Sequence, residues 1–345
     1  MSNKQPSRTV LITGGAGYIG SSLSSHMVSR GYKVRIFDAL FFGKLPILSL
    51  KKHVEIIQGD IRKPPSKLFT GIGSVIHLAA LSNDPTAEFN PVANMQINTE
   101  GATIIARAAR QAGVRRFVFA SSCSIYDMGI DCDTKIKNEE SPVFPRNPYS
   151  LSKYLAEQSI LALQNNSFSV TVLRKGTVHG FSKRLRYDLI VNAMVRDGLQ
   201  NGTIKVFCKG RQWRPLIAIE DVVEAYRLIL ELPVKQVQGQ IFNISQDNYL
   251  VKDVAFLVKE AFQKNFGKII EILYEQNNKS DRSYRVSTEK AKKVLGFNPT
   301  RTITHTVSEL VNTLHVKKRY AHFNSPIFYN IEKMRPILQD LASKI

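Results

Sequence analysis

Short apolar runs recur through the first half of the chain, each bounded by glycine or polar residues. Arg8–Thr13, Lys33–Asp38, Val54–Asp60, Ser74–Ala80, Phe117–Ser122 and Ser169–Arg174 are of this kind and predict strands. Between them the apolar positions take helical spacing. One helix follows the glycines after Thr13 and runs to about Arg30, where Gly31-Tyr32 ends it; a longer one covers about Ala93 to Ala112. Strands alternating with helices predict an α/β fold, a Rossmann-type doubly wound parallel sheet.

Beyond Gly180 the alternation loosens. Helices are expected over Leu189–Leu199, Asp221–Leu230, Val251–Lys264 and Ile303–Leu314, and strands over Thr203–Phe207, Pro215–Ile219 and Gln240–Ile244. This divides the chain into a dinucleotide-binding domain, 1–180, and a smaller C-terminal α/β substrate lobe, 181–315, whose segments interleave with the sheet. The tail, 316–345, mixes basic residues with Tyr320, Phe323, Phe328 and Tyr329 and is expected to dock on the body or on a partner subunit.

The length of 345 residues and the 43% hydrophobic content support two lobes or one large domain with a full core. No apolar run is long enough for a membrane span, and Met1–Thr9 lacks the apolar stretch of a signal peptide. Cys123, Cys132 and Cys208 have no metal-type spacing and read as free thiols in a reducing cytoplasm; no metal site is expected. The net charge of +20 is the anomaly. The basic residues are dispersed, with only short clusters such as Lys183-Arg184-Leu185-Arg186 and Lys317-Lys318-Arg319. No nucleic-acid motif accompanies them, so the charge points to a basic surface and an anionic substrate.

Gly14-x-x-Gly17-x-x-Gly20 lies between a strand and a helix, the context in which glycines let the backbone approach a pyrophosphate at a helix N-terminus. Asp38 ends the next strand, where a carboxylate accepts both ribose hydroxyls and repels a 2′-phosphate. NAD is therefore expected over NADP. Tyr149 and Lys153 fall four residues apart, on one face of a helix. An ammonium beside a phenol lowers its pKa, so Tyr149 is expected to act as a base near neutrality. A serine brought in by the fold would bind the same substrate oxygen while a nicotinamide takes the hydride.

The glycine spacing, with Asp60-Ile61, His77-Leu78-Ala79-Ala80 and Tyr149-x-x-x-Lys153, closely resembles the extended short-chain dehydrogenase/reductases, in their nucleotide-sugar epimerase and dehydratase branch. The resemblance runs in order from about Arg8 to Leu314 and is nearest to UDP-glucose 4-epimerase-like members. It implies that Gly14, Gly17, Tyr18, Ile19, Gly20, Asp38, Asp60, Ile61, Leu78, Ala79, Ala80, Asn98, Tyr149 and Lys153 serve the cofactor. Asp60 and Ile61 would meet the adenine, and Asn98 would support the active-site network. Ser122, Tyr149 and Lys153 would be catalytic.

Dehydratases of that family carry carboxylates immediately after the catalytic Ser/Thr, where this chain has Cys123 and Ser124. Epimerases have small, quiet residues there, so the resemblance implies an epimerase that oxidises the sugar, most often at C4, and returns the hydride to the other face. A thiol at Cys123 that exchanges a proton beside the ketone is a further possibility, set against a packed, inert cysteine. The substrate would be a nucleotide-diphosphate sugar held by Ser122, Cys123, Ser124, Thr177, Asn192, Arg214 and Arg282, the guanidiniums pairing with phosphate. His179 reads as a packing residue. The alternatives are a nucleotide-sugar 4-oxidase that stops at the keto product, a 4,6-dehydratase, and a non-catalytic NAD-binding protein. The resemblance also implies a homodimer built on the long helix, where Ala102, Ala106, Ala108 and Ala109 offer close packing, or else serve the chain's own core.

Overall fold

A computed structural model describes residues 8–129, 135–275 and 282–342; Cys132 lies outside the described residues. Seven strands form the central sheet: β1 (Thr9–Thr13), β2 (Lys33–Asp38), β3 (Val54–Gln58), β4 (Ser74–His77), β5 (Arg116–Ser122), β6 (Ser169–Lys175) and β7 (Ile241–Ile244). Their order is 3-2-1-4-5-6-7 and every neighbouring pair is parallel. The chain thus starts in the middle of the sheet, runs out to one edge and returns past its start. The direction reverses between β1 and β4, and the crevice at their carboxyl ends is where doubly wound sheets bind ligands. The glycine loop follows β1, and Leu78-Ala79-Ala80 follows β4.

Successive residues of a strand face opposite sides of the sheet, and both sides are packed. Val10 and Ile12 of β1 join Ile36, Ile76 and Val118 beneath helices Tyr18–Ser29 and Ile219–Glu231. Leu11 faces the other way, with Phe37, Val75, Phe117 and Phe119, beneath helices Ala102–Gln111 and Pro148–Leu161. A third core, around Leu185, Tyr187, Val191, Ile204, Phe262 and Val307, belongs to the second half. That half also returns to the sheet, since β7 extends it beyond β6 and helix Ile219–Glu231 packs on the glycine-loop helix.

The long helix is interrupted. A π turn, Gln96–Gly101, separates Pro91–Met95 from Ala102–Gln111. Such turns insert a residue and re-aim a side chain. Here Asn98 lies inside it, fully enclosed. Ala102, Ala106 and Ala109 are completely buried in the chain's own core, so these three offer no surface to a partner.

Five of the described strands went unread in the sequence: Thr177–His179, the two-residue Ile136–Lys137 and Arg285–Val286, and two longer ones. Asp247–Leu250 pairs antiparallel with Trp213–Ala218, and Glu271–Glu275 pairs parallel with Thr203–Phe207. Asp247–Leu250 opens on polar residues, and Glu271–Glu275 holds only Ile-Leu-Tyr between glutamates, too short a run to stand out. The tail docks on its own body: Phe323, Phe328 and Tyr329 ring Tyr187 at centroid distances of 5.5, 5.3 and 6.3 Å, and Tyr187 donates to the Tyr320 carbonyl at 2.5 Å. It ends in helix Asn330–Ala342, whose Met334 and Leu338 are buried in the second core. Among the described residues no helix is long and apolar enough to cross a membrane.

Candidate functional site

One cavity of about 1110 Å³ opens at the carboxyl ends of the central strands. Its inner wall is the glycine loop. A Cβ on Gly14 would lie 2.7 Å from the Ala79 nitrogen, and one on Gly20 2.0 Å from the Gly14 carbonyl. These two glycines are required by the loop's own closure. Gly17 is different: its Cβ would approach only the Gly14 carbonyl, at 3.1 Å. What a side chain there would obstruct is the cavity, at the start of a twelve-residue helix whose first amides have no side-chain cap. That cradle fits a pyrophosphate.

Asp38 ends β2 beside the loop. Its Oδ2 accepts from the Ala16 amide at 2.9 Å and its Oδ1 from the Leu40 amide at 2.7 Å. Leu40 is held at φ 59, the left-handed region that glycine favours, and the Asp38 carboxylate stabilises that turn. Burial raises the Asp38 pKa, while the two amides and the nearby Arg184 oppose the rise. Asp60 is chelated by Arg62, with Oδ2 at 2.6 Å from Nη2, and both line the cavity with Ile61, Leu78, Ala79 and Ala80.

Asn98 does not reach the cavity. It accepts from the Leu81 amide at 2.8 Å and donates to the Leu81 carbonyl at 3.0 Å and to Ser152 Oγ at 3.1 Å. Through it the loop after β4 is tied to the Tyr149 helix. That helix begins with a reciprocal cap: Asn147 accepts from the Ser150 amide, and Ser150 Oγ accepts from the Asn147 amide. Glu157, one turn beyond Lys153, is fully buried; it accepts from Ser121 Oγ at 2.9 Å and from the Arg174 guanidinium. Losing one member of such a pair costs about 3–5 kcal/mol, so the helix is fixed rigidly to β5 and β6.

Ser122 faces the Tyr149 hydroxyl closely enough to favour its phenolate, and its Oγ lies 2.9 Å from Ser124 Oγ. Lys153 donates to the Ala120 carbonyl at 3.0 Å. The electrostatics differ from expectation. The Tyr149 pKa is raised to about 12: burial lifts it most and Asp84 adds to the rise, while Arg186 and Ser122 oppose it. Lys153 is itself lowered to about 7 by burial and then by Lys175, so its charge is partial at neutrality. Lys175 pairs in register with Ser122, donates to the Ser121 carbonyl at 2.6 Å, and is lowered to about 8 by burial. The expected activation of the phenol by the lysine thus yields to desolvation in this pocket.

Of the expected substrate residues, Ser122, Ser124, Thr177, Arg214 and Arg282 line the cavity. Cys123 does not. Its Sγ is completely buried and donates to the Arg174 carbonyl at 3.1 Å, and burial pushes the thiol well above its usual range. Asn192 also lies behind the wall, accepting from the Gly180 amide at 2.9 Å and donating to the Arg186 carbonyl at 2.9 Å. His179 is packed, with Nδ1 3.0 Å from Thr306 Oγ1 and its pKa lowered to about 4 by burial.

The sequence reading missed a polar rim on the opposite wall. Arg186 grips Asp188 with two hydrogen bonds, 2.8 and 2.9 Å, and Asp188 Oδ2 also accepts from Asn83 Nδ2 at 3.0 Å and from the Asn330 amide at 3.2 Å. Asn330 donates to Ser82 Oγ at 2.9 Å and accepts from Arg184 at 2.5 Å. Tyr329, Asn330, Ile331 and Met334 of the tail thereby form part of the cavity wall. The Lys183–Arg186 cluster had signalled charge near a site, but nothing local announced its partners.

Comparison with known proteins gives the same architecture a family. The sequence model of the NAD dependent epimerase/dehydratase family matches residues 10–245. A putative UDP-glucose 4-epimerase of Methanocaldococcus jannaschii is 27% identical over 318 residues, 90% of this chain and 99% of that protein. A UDP-N-acetyl-alpha-D-glucosaminuronate decarboxylase of Bacillus cytotoxicus is 28% identical over 281 residues, 77% of this chain and 84% of that protein. The solved structure of MoeE5 in complex with UDP-glucose and NAD superposes with a TM-score of 0.76 at 26% identity, covering 90% of this chain and 99% of that one.

Proposed function

Because the chain belongs to the NAD dependent epimerase/dehydratase family, we propose that it is an NAD-dependent nucleotide-sugar epimerase acting at C4 through a transient 4-keto sugar. Relatives of similar identity include an epimerase and a decarboxylase, so the reaction type rests on this chain's own residues. The observation that carries the reading is the gathering of Ser122, Tyr149 and Lys153 on one cavity wall, with a buried thiol and a hydroxyl following Ser122 at Cys123 and Ser124. Those two positions supply no carboxylate to eliminate at C5 and C6.

In this reading Gly17 admits the NAD pyrophosphate, Asp38 takes the adenosine ribose, and Lys153 holds the nicotinamide ribose. Bound NAD would supply the hydride acceptor for the sugar carbon. Tyr149 removes the proton of the sugar hydroxyl, and Ser122 holds that oxygen as the carbonyl forms. Arg214 and Arg282 take the diphosphate. Reversal from the other face of the keto sugar gives the epimer. The Asp38→Ala variant loses the preference for NAD over NADP; an unchanged ratio of affinities contradicts that role.

A homodimer is also proposed. Phe89, Val92, Phe144 and Leu151 lie exposed on or beside the helices nearest Tyr149 and are the surface it would cover. Light scattering that finds only monomer removes this point. The function is tested by incubating the protein and NAD with a panel of nucleotide-hexoses and following the sugar by NMR. An inverted C4 without net NADH supports the epimerase. A keto sugar with stoichiometric NADH identifies the oxidase instead, and a deoxy-keto sugar the dehydratase.

A further inference from the structure

We propose that Asp84 reads the sugar of the substrate, accepting a hexose that presents a hydroxyl or an amine to it and rejecting one that presents a carboxylate. The inference rests on the nucleotide-sugar reading above and adds its substrate class.

Two points bracket the sugar in that reading. Arg214 and Arg282 hold the diphosphate at one end, and Tyr149 with Ser122 meets the reacting hydroxyl at the other. Asp84 lines the same cavity and is near both, paired with Arg282 and acting on Tyr149. Its Oδ2 takes Arg282 Nη1 at 2.7 Å, and its charge reaches Tyr149 strongly enough to oppose the phenolate. Its Oδ1 is buried from solvent and accepts no hydrogen bond; Arg282 Nε is likewise buried and donates none. Among the described residues Arg282 is thus the one donor that offsets the Asp84 carboxylate.

Among the described residues, neighbouring charges also have partners within the protein. Arg186 is engaged by Asp188 through both oxygens, and Lys175 by the Ser121 carbonyl. Asp127 Oδ1 accepts the amides of Gly129 at 3.1 Å and Ser283 at 2.9 Å. Arg214 donates to the Trp213 and Arg282 carbonyls. Asp84 is also held in place. Asn83 caps the short helix Asp84–Phe89 by accepting from the Thr86 amide, and its other end is tied to Asp188. When a diphosphate draws on Arg282, less positive charge offsets the Asp84 carboxylate, whose pKa burial already raises. A sugar hydroxyl or ammonium then satisfies it, whereas a uronate carboxylate would be repelled.

The test uses the full chain with saturating NAD, by titration calorimetry. The glucose esters of UDP, dTDP and GDP are titrated first, and the base that binds tightest is kept for its glucose and glucuronate esters. The wild type should bind the glucose ester at least about tenfold more tightly than the glucuronate ester. Asp84→Asn, neutral and of the same shape, should bring the two within about threefold, chiefly by gain for the glucuronate. Asp84→Ser replaces it if melting shows that Asp84→Asn does not fold. Arg282→Gln should weaken both esters and leave the glucose ester at least as strongly preferred as in the wild type. A wild type that binds the glucuronate as tightly as the glucose ester, or a folded Asp84 variant with an unchanged ratio, overturns the role of Asp84 and leaves the nucleotide-sugar reading intact. Failure of all three glucose esters to bind removes the nucleotide-sugar reading itself, and this inference with it.

Discussion

The two walls of the cavity are built on different principles. The cofactor wall is made from consecutive pieces of one sheet: the loop after β1, the end of β2, the loop after β4. Each piece is held by its own backbone and neighbours, as the closure of Gly14 against Ala79 shows. The substrate wall gathers Asn83, Asp84, Arg186, Asp188, Arg214, Arg282 and Asn330 from segments up to some 250 residues apart, and side-chain charge holds them together. The first wall is a backbone shape into which a ligand fits. The second is a network in which one carboxylate, Asp188, anchors three segments. Nucleotide binding and sugar choice therefore fail in different ways when a residue is changed.

The largest expected effect falls where the walls meet. Tyr149→Phe should lower kcat by about 10³-fold while leaving NAD affinity unchanged, because only the proton transfer is lost. Equal loss of NAD binding would mean that the tyrosine is part of the cofactor wall instead. Next comes the network. Asp188→Ala should cost about 3 kcal/mol in denaturant unfolding and raise KM, since Arg186 is left buried and uncompensated and Asn330 loses its anchor. Stability unchanged within experimental error would show that the substrate wall does not depend on this charge.

The glycines sharpen the contrast within one loop. Gly20→Ala should destabilise by about 2 kcal/mol, because its Cβ meets the Gly14 carbonyl. Gly17→Ala should leave the melting temperature nearly unchanged and weaken NAD binding. If both variants behave alike, the distinction between closure and ligand approach is wrong.

The last effect concerns the two buried lysines that line the cavity. Their folded pKa values, about 7 for Lys153 and about 8 for Lys175, lie below the ordinary lysine value. Above about pH 7 the unfolded chain holds protons that the folded one has shed, so stability rises with pH until about pH 10. Melting temperatures across that window should climb, and Lys175→Met should flatten the climb. A flat wild-type profile contradicts the burial of both amines.

This division also explains what could be read in the sequence. The sheet was legible because β1 to β6 are apolar runs separated by helices, and Gly14, Gly17, Gly20 and Asp38 announce a shape through local spacing. Tyr149 and Lys153 were legible as a helical pair, but their electrostatics were not. Desolvation by the surrounding fold, and the carboxylate of Asp84, set the phenol high where the lysine alone would set it low. Asn192 and Cys123 matched substrate positions along the chain, yet the fold turns both inward, onto the Gly180 amide and the Arg174 carbonyl. Asp84, Asp188 and Asn330 gave no signal because their partners are distant in sequence. The tail's aromatic residues did announce docking, though not that the helix after them completes a cavity wall.

The central claim is that hydride leaves C4 of the sugar and returns to the same carbon. It is tested most directly with a nucleotide-hexose carrying deuterium at C4, turned over with NAD and examined by NMR and mass spectrometry. The account predicts a C4 epimer that keeps its deuterium at C4, with no deuterated NADH released to solution. Deuterium found at C6, or carried away in stoichiometric NADH beside a keto sugar, would contradict it.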